Sequence, residues 1–508
     1  MSAGLNAGLN PETLVTLAGG ATNAVADAAA RGTRRSVDWQ PVSPVGWWAH
    51  ERGVEKLTQS FADVPEGQRV RLAKRTSNLF RKREAGGAGL DVTGLGGVIE
   101  VDPVAKTADV QGMCTYEDLV DATLPFGLAP LVVPQLKTIT LGGAVSGMGV
   151  ESTSFRNGLP HESVLEMDVL TGTGEILTCS RDQNVELFRA FPNSYGSLGY
   201  VVRLKIELEA VKPFVELCHV RYFNLREFQD ALAAASASGQ WEGRALHGLD
   251  AVAFSPQEQY LVLAFGVDEA PGTSDYTREG IFYRSIQHPA GVKHDYLTAR
   301  DYIWRWDTDW FWCSRAFGAQ DPAVRKVWPR ELRRSSFYWK LVGLDKRFDL
   351  EYRFLKKPKH LPRTERVVQD VEVTDAHVAE FLEWFFGACD IEPVWLCPIR
   401  LRDGVERLSG AGLEERAPWP LYPLKPGTTW VNVGFWSGVP EVAPGAFNKR
   451  IEAKVSQLGG HKSLYSEAFY PREVFEDLYG GDLPERMKAK YDPDRRFPGL
   501  YEKTVNNA

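Results

Sequence analysis

The sequence predicts an α+β fold with mixed sheets, spread over at least two domains. Three observations carry that reading. Short β-branched runs bounded by Gly and Asp recur at strand-like spacing. Helical segments fall between them irregularly, so regular βαβ winding is not indicated. The chain has 508 residues, 44% of them hydrophobic and 25% charged, which is an ordinary globular composition with length for several domains.

The elements can be justified in order. Residues 1–38 are rich in Ala, Gly, Thr and Asn; apart from a cap-and-proline helix start at Asn10-Pro11-Glu12, they read as a flexible leader. Strand patterns follow in GLGGVIEVD (94–102), TADVQGM (107–113), VLEMDVLTGTGEIL (164–177) and YVVRLKIELEA (200–210). Between them TYEDLVDATLPFG (115–127) has helical spacing, with Leu119, Val120 and Leu124 on one side and Thr115 as cap. From 214 to 430 the strands VELCHVRYF and AVAFSPQEQYLVLAFGV accompany the helices FNLREFQDALAAASAS and DAHVAEFLEWFFGA. From 431 onward the pattern is the strand NVGFWSG, the helix FNKRIEAKVSQLGG, then PREVFEDLYGG and LPERMKAKYDPDRRFPGLYEK.

Charge and cysteine usage exclude several classes. With 59 Lys plus Arg against 66 Asp plus Glu, the net charge of −7 does not suit a nucleic-acid binder. Six cysteines without C-x-x-C spacing indicate neither a zinc ribbon nor a redox pair, and favour structural thiols in a reduced, cytoplasmic chain. No apolar run is long enough to span a membrane, and the N-terminus lacks signal-peptide character.

The most informative stretch runs from Thr140 to Ser154. Gly142, Gly143, Gly147 and Gly149 are interleaved with Val150, Glu151, Ser152 and Ser154. Glycine lets backbone amides approach an anion without an intervening Cβ, and hydroxyls add donors. Tight turns in a sheet protein would look the same. There is no GK[ST], so this is not a Walker loop.

The context of that loop resembles a family. The order is loop, Phe155-Arg-Asn-Gly158, VLEMDVLTGTGEI, VELFRAF, then Gly196-Ser-Leu-Gly199-Tyr-Val201-Val, closing with KYDPDRRFPGLYEK (490–503). This is similar to the PCMH-type, vanillyl-alcohol oxidase-like FAD-binding flavoproteins. Within them it looks most like the sterol Δ24-reductase branch, through 130–164, RTERVVQDVEV (363–373), EPVWLCP (392–398) and LYSEAFYPREVFEDLYGG (464–481). The resemblance implies a flavin domain over 39–213, a substrate or cap domain over 214–430, and a segment over 431–508 returning to the flavin domain. It implies FAD on Thr140, Gly142, Gly143, Gly147, Gly149, Val150, Glu151, Ser152, Ser154, Gly158, Gly196, Gly199 and Val201, with His161 near the site. The family's first phosphate loop is Gly-rich. The equivalent here, LAKRTSNLFRKRE (72–84), offers Thr76, Ser77 and Asn78 as donors and Lys74 and Arg75 as charge. No His falls in that loop to carry a covalent link, so non-covalent FAD is expected.

The same resemblance implies reduction of a lipid carbon–carbon double bond with NAD(P)H as electron donor. The lipid is either a sterol side chain or the 10-methylene fatty acyl chain of a phospholipid, as in soluble relatives of the branch. The Ala-, Arg- and Gly-rich composition and the missing N-terminal membrane segment favour the acyl chain. An alcohol or sugar oxidase on the same scaffold is the alternative. An isolated alkene needs a placed proton donor. Tyr302, within RDYIWRWDTDWFW, and Tyr465 and Glu467, within LYSEAFY, are the candidates; these aromatics are equally readable as core. Gln369 and Asp370 could face the flavin from the second domain, although such a strand-end pair is more often a local hydrogen-bonding feature; Trp395 and Cys397 read as packing.

Residues 325–366 hold fourteen Lys or Arg against five acids, interleaved with Trp328, Phe337, Tyr338 and Trp339. That composition suits peripheral contact with an anionic membrane. A solvated loop or an internal ion-pair network fits it too.

Overall fold

The computed structural model describes residues 40–74, 80, 81, 86–348, 353, 357, 362–402 and 418–505. The leader expected over 1–38, and Ser77 and Asn78, lie outside these.

The first domain opens with a helix, Trp47–Ala62, whose Leu57 and Phe61 are buried against the parallel pair β1 (Val70–Leu72) and β2 (Ala88–Leu90). Its main sheet contains β3 (Val98–Asp102), β4 (Thr107–Gln111), β5 (Leu128–Pro130), β6 (Val164–Leu170), β7 (Ile176–Ser180) and β8 (Tyr200–Ala210). The order is β3-β4-β8-β6-β7, with β5 on the far end of β8. Register is set by alternation: Val98, Val110, Leu204 and Met167 lie side by side across four strands and are all buried. The helix Tyr116–Thr123 closes this core. Thr115 caps it by accepting from the Asp118 N–H at 3.1 Å, and Leu119 and Val120 point inward.

The second domain is one antiparallel sheet formed by β9 (Phe214–Tyr222), β12 (Gly248–Ser255), β13 (Glu258–Val267), β14 (Val292–Thr298), β15 (Thr364–Thr374), β16 (Val394–Ile399), β17 (Trp430–Pro440) and β18 (His461–Lys462). A small hairpin, β10 (Gln240–Trp241) and β11 (Arg244–Ala245), stands apart. The sheet order is β14-β9-β13-β12-β16-β17-β15-β18. Its two faces are both covered, so its central strands read as continuous apolar runs. One face (Leu261, Leu263, Val371, Leu396, Val433, Phe435) packs under the helices Leu225–Ser238, Val378–Ala388 and Ala446–Gln457. The other (Tyr260, Val262, Trp395, Cys397) meets the aromatic segment 302–312.

One expected boundary moves. The sequence puts the return to the flavin domain at 431, yet β17 is an interior strand of the second sheet, and helix Ala446–Gln457 and β18 belong with it. The chain touches the first core at Ile399, Leu401 and Trp419–Trp430, leaves it for the second sheet, and rejoins it from Leu464, followed by Tyr470, Phe475, Tyr479, Leu483 and Met487. The run NVGFWSG carries no mark of which sheet it joins; its cross-strand partners are 35 or more residues away. The six cysteines are unpaired, and four are buried. Among the described residues no helix is long and apolar enough to cross a membrane.

The basic segment is partly internal. Arg325 grips Asp309 at 2.8 and 3.0 Å, Arg330 pairs with Asp275 at 2.9 Å, and Arg334 pairs with Glu117. Arg333 is buried and donates to the carbonyls of Thr277 and Arg278. Lys326, Lys340, Arg353 and Lys357 remain exposed.

Candidate functional site

The Gly-rich stretch forms the short helix Leu141–Gly147 and the turn after it. Thr140 caps the helix, accepting from the Gly143 N–H at 3.2 Å, and Lys74 donates to the same hydroxyl at 3.2 Å. The two adjacent glycines do different work. A Cβ on Gly142 would lie 2.5 Å from the Gly112 carbonyl and 2.7 Å from Val201, so Gly142 lets the helix sit on the sheet. Gly143 faces outward, and a Cβ there would meet only the Thr140 hydroxyl. Gly147 rests on the Tyr195 ring and Gly149 between Pro134 and Pro160. Gly199, at φ +138°, brings the turn before β8 against the Leu170 carbonyl, where a side chain would clash at 2.5 Å.

Above this loop lies a cavity of about 380 Å³ between the two domains. Thr140, Gly142, Gly143, Gly147, Gly149, Val150, Gly196, Gly199 and Val201 line its floor. Arg69, Arg71, Lys74, Arg81 and Lys503 supply positive charge around one end. Gln135 lies on the wall, buried, with neither carboxamide atom hydrogen-bonded.

The opposite wall comes from the second sheet and the aromatic segment: Trp310, Phe311, Trp395, Trp436, Asp370, Asn432 and Tyr465. Strand alternation explains this group. Asp370 pairs with Gly434, and so does Trp395; Asn432 and Trp436 flank Gly434 two residues either way. All therefore face the cavity, while Gln369 faces away and bonds Asn448 at 2.6 Å and Ser466 at 3.1 Å. The Asp370 carboxylate accepts from Asn432 at 3.0 Å, and Tyr465 lines the cavity beside it. The Tyr465 oxygen accepts from the Trp436 indole N–H at 2.9 Å. Desolvation raises Asp370 to about 6, and burial followed by the Asp370 charge pushes the Tyr465 phenol well above its ordinary value.

Other expected residues lie behind the loop. Ser152 donates to Glu151 at 2.6 Å, so the Tyr302 phenol, 2.7 Å away, donates to Ser152. The Tyr302 ring stacks on Arg305 at 4.2 Å, and Arg305 bridges Glu151 at 3.3 Å and Asp250 at 3.0 Å. Tyr302 is thus part of a buried charge network and does not line the cavity, a correction to its place among the candidate proton donors. Ser154 accepts from the Glu151 N–H, and Gly158 makes room for the Glu162 carboxylate. Burial pushes that carboxyl up to about 7, although the N–H groups of Arg402 and Leu159 hold its charged form. His161 packs edge-on to Trp419 at 4.5 Å, and burial drives it down to about 3, so its place is the core. Glu467 contributes its backbone carbonyl to Lys462 and does not line the cavity. Of the pair that could face the flavin, Asp370 lines the cavity and Gln369 does not; Asp370, Trp436 and Gln135 were not among the site residues the sequence singled out. For Asp370 and Trp436 the signal was available in the period-2 alternation of VVQDVEV and NVGFWSG.

Residues 64–180 match the family described as FAD binding domain. The chain is 24% identical over 432 residues to the Delta(24)-sterol reductase of Homo sapiens, covering 81% of this chain and 76% of that protein. It is 23% identical over 429 residues to a Delta(24)-sterol reductase homolog of Caenorhabditis elegans, covering 80% of this chain and 77% of that one. It is 35% identical to cytokinin dehydrogenase 3 of Arabidopsis thaliana, over 130 residues that make up 26% of this chain and 25% of the relative. The chain is an FAD-dependent oxidoreductase.

The cavity fits that cofactor. The cationic end and the side-chain-free face of Gly143 suit a pyrophosphate. The unpaired Gln135 carboxamide offers a donor and an acceptor to a ring that carries both. No histidine lines the cavity among the described residues; Cys313 does, but burial pushes its thiol up to about 12, against the thiolate that a covalent link would use.

Proposed function

We propose that the protein reduces a carbon–carbon double bond in a lipid, with NAD(P)H as electron donor to non-covalent FAD. The methylene-branched acyl chain of a phospholipid is the preferred substrate, ahead of a sterol side chain. The observation that carries the reading is the cavity wall opposite the glycine loop. It is built from indole and phenyl rings, with the Asp370–Tyr465 pair set into it. Such a wall receives an apolar chain and offers a proton at one place. The names of the relatives that match over four-fifths of the chain point to the same chemistry.

FAD bound in the cavity would supply hydride to one alkene carbon. Tyr465 would give its proton to the other, since a buried phenol remains neutral and can donate without a prior charge. Trp310, Phe311, Trp395 and Trp436 would hold the chain and exclude water. A cytoplasmic protein touching an anionic membrane through Lys326, Lys340, Arg353 and Lys357 accords with a lipid substrate.

An anaerobic two-stage mixing experiment tests this. NAD(P)H should bleach the flavin absorbance, and methylene-branched phospholipid should restore it. Bleaching by an alcohol or sugar, with reoxidation by oxygen, would establish the oxidase alternative. The cytokinin dehydrogenase likenesses cover 26–39% of the chain, against 80–81% for the sterol reductases, so they weigh less on the substrate.

A further inference from the structure

The aromatic wall stands on backbone that large side chains avoid. Trp310 and Phe311 are consecutive, both line the cavity, and their φ angles are +47° and +58°. The left-handed region crowds a Cβ against the carbonyl that follows, so two bulky residues in a row keep it only where the surroundings force them to. Three buried acids supply that force. Asp307 accepts the Lys137 N–H of the first domain at 3.0 Å and the Ser335 hydroxyl. Asp309 accepts from Arg325 at 2.8 and 3.0 Å and from Ser314 at 2.8 Å. Asp250, on β12, acts from behind the wall. One of its oxygens takes three donors at 3.0 Å each: the Arg305 guanidinium and the indole N–H groups of Trp306 and Trp395.

Those two indoles frame Phe311. Its ring stacks on Trp306 at 5.0 Å, meets Trp395 edge-on at 5.6 Å and tilts onto Trp436 at 4.4 Å. A single carboxylate oxygen therefore fixes two of the three indoles that hold the Phe311 ring. Packing alone needs no strain, since a core can be filled from relaxed backbone. Strain kept at two adjacent cavity-lining residues points to a task in the cavity.

We propose that Phe311 is the specificity-determining residue of the substrate wall and that Asp250 is the residue that positions it. The proposal rests on the lipid reading above. The phenyl ring takes up the space beside an extended acyl chain, so a chain lies along it, whereas a broader fused-ring lipid meets its edge. Truncating the ring removes the obstacle and the chain's contact together. Asp250 acts on the same choice through the indoles: without its oxygen Trp306 and Trp395 lose their common acceptor, and Phe311 is no longer framed.

The test uses the FAD-loaded protein and two probes that cannot react, a saturated methyl-branched fatty acid and a saturated sterol, with binding measured by equilibrium dialysis in one detergent. The parent should favour the fatty acid. Phe311→Ala should bind the fatty acid more weakly and the sterol more tightly, moving the ratio of dissociation constants by roughly tenfold or more. Asp250→Ala should move the ratio the same way. Asp250→Asn keeps an acceptor oxygen for the indoles and should bring the ratio back towards the parent, whereas a merely structural Asp250 would change melting temperature and leave the ratio alone. Phe311→Gly should melt above Phe311→Ala, the reverse of the usual order, because glycine accepts a positive φ. Phe311→Ala carries the test if Asp250→Ala does not fold. The proposal is overturned if Phe311→Ala keeps the parent ratio, or if the alanine variant melts above the glycine variant; lipid-driven reoxidation of the flavin would then still support the reductase reading. The predicted change of ratio in a protein whose reduced flavin no lipid reoxidises would sink that reading and leave the selectivity of the wall standing.

Discussion

Substituting the two adjacent glycines of the loop separates what each one does. At Gly143→Val the new Cβ meets only the Thr140 hydroxyl, at 2.8 Å. The capping bond to the Gly143 N–H is disturbed, a loss of about 1 kcal/mol. The rest of the side chain projects into the cavity, where it takes the space of a bound anion. Losing one or two charge-assisted contacts of about 1.5–3 kcal/mol each weakens FAD binding by roughly 10-fold to more than 10³-fold. At Gly142→Ala the single methyl would lie 2.5 Å from the Gly112 carbonyl and 2.7 Å from Val201, so backbone must move, at about 1–3 kcal/mol. Calorimetric or circular-dichroism melting of the flavin-free proteins, with FAD titration by fluorescence quenching, resolves the two effects. Gly143→Val should melt within a few degrees of the parent and fail to take up FAD. Gly142→Ala should lose more stability than Gly143→Val while the fraction still folded binds FAD. If Gly143→Val binds FAD as tightly as the parent, the loop does not face the cofactor and the assignment of the cavity is wrong.

Other expectations follow from the same geometry. Tyr302→Phe should retain lipid-driven reoxidation within about twofold and lose roughly 0.5–1.5 kcal/mol of stability, because its phenol is spent on Ser152; Tyr465→Phe should slow that half-reaction roughly 10²- to 10⁴-fold with NAD(P)H reduction intact. Parent-like reoxidation by Tyr465→Phe would remove the phenol from the mechanism. Acid precipitation should leave the yellow colour in the supernatant, and colour in the pellet would contradict dissociable FAD. His161 is held neutral down to about 3, whereas the unfolded chain takes up a proton near 6.5; stability should therefore fall as pH drops through that window. His161→Phe should flatten the melting-temperature profile there by at most about 1.4 kcal/mol per pH unit. Replacing Lys326, Lys340, Arg353 and Lys357 by Gln should weaken binding to anionic vesicles, and added salt should do the same to the parent.

The flavin domain was readable because its determinants are local. Gly142, Gly149 and Gly199 are required by close contacts within the loop and its neighbouring strands, Gly143 keeps the outer face of the loop open, and their spacing survives in one dimension. The second sheet was less readable for the opposite reason. Asp370 reaches its place only because β15 pairs with β17, 62 residues ahead at Asn432, and Tyr465 arrives after a further excursion through Ala446–Gln457. Tyr302 misled because an aromatic-rich segment looks the same whether it walls a cavity or encloses a buried charge. Its neighbour Arg305, fully enclosed between Glu151 and Asp250, decides the matter, and no sequence pattern announces that pairing. The basic run likewise divides into internal ion pairs and exposed charge only once Asp309, Asp275 and Glu117 are brought alongside.

The central claim is that this flavoenzyme saturates a double bond in a lipid chain. Mass spectrometry of a methylene-branched phospholipid incubated anaerobically with the FAD-loaded protein and NAD(P)H tests it most directly. The account predicts a product heavier by two hydrogens. In deuterium oxide one of the two should be deuterium, delivered through Tyr465, and the Tyr465→Phe protein should make little of it. Recovery of unchanged lipid, alongside a sterol that gains two hydrogens, would move the substrate. If neither lipid changes while the flavin still cycles with oxygen, the claim is contradicted.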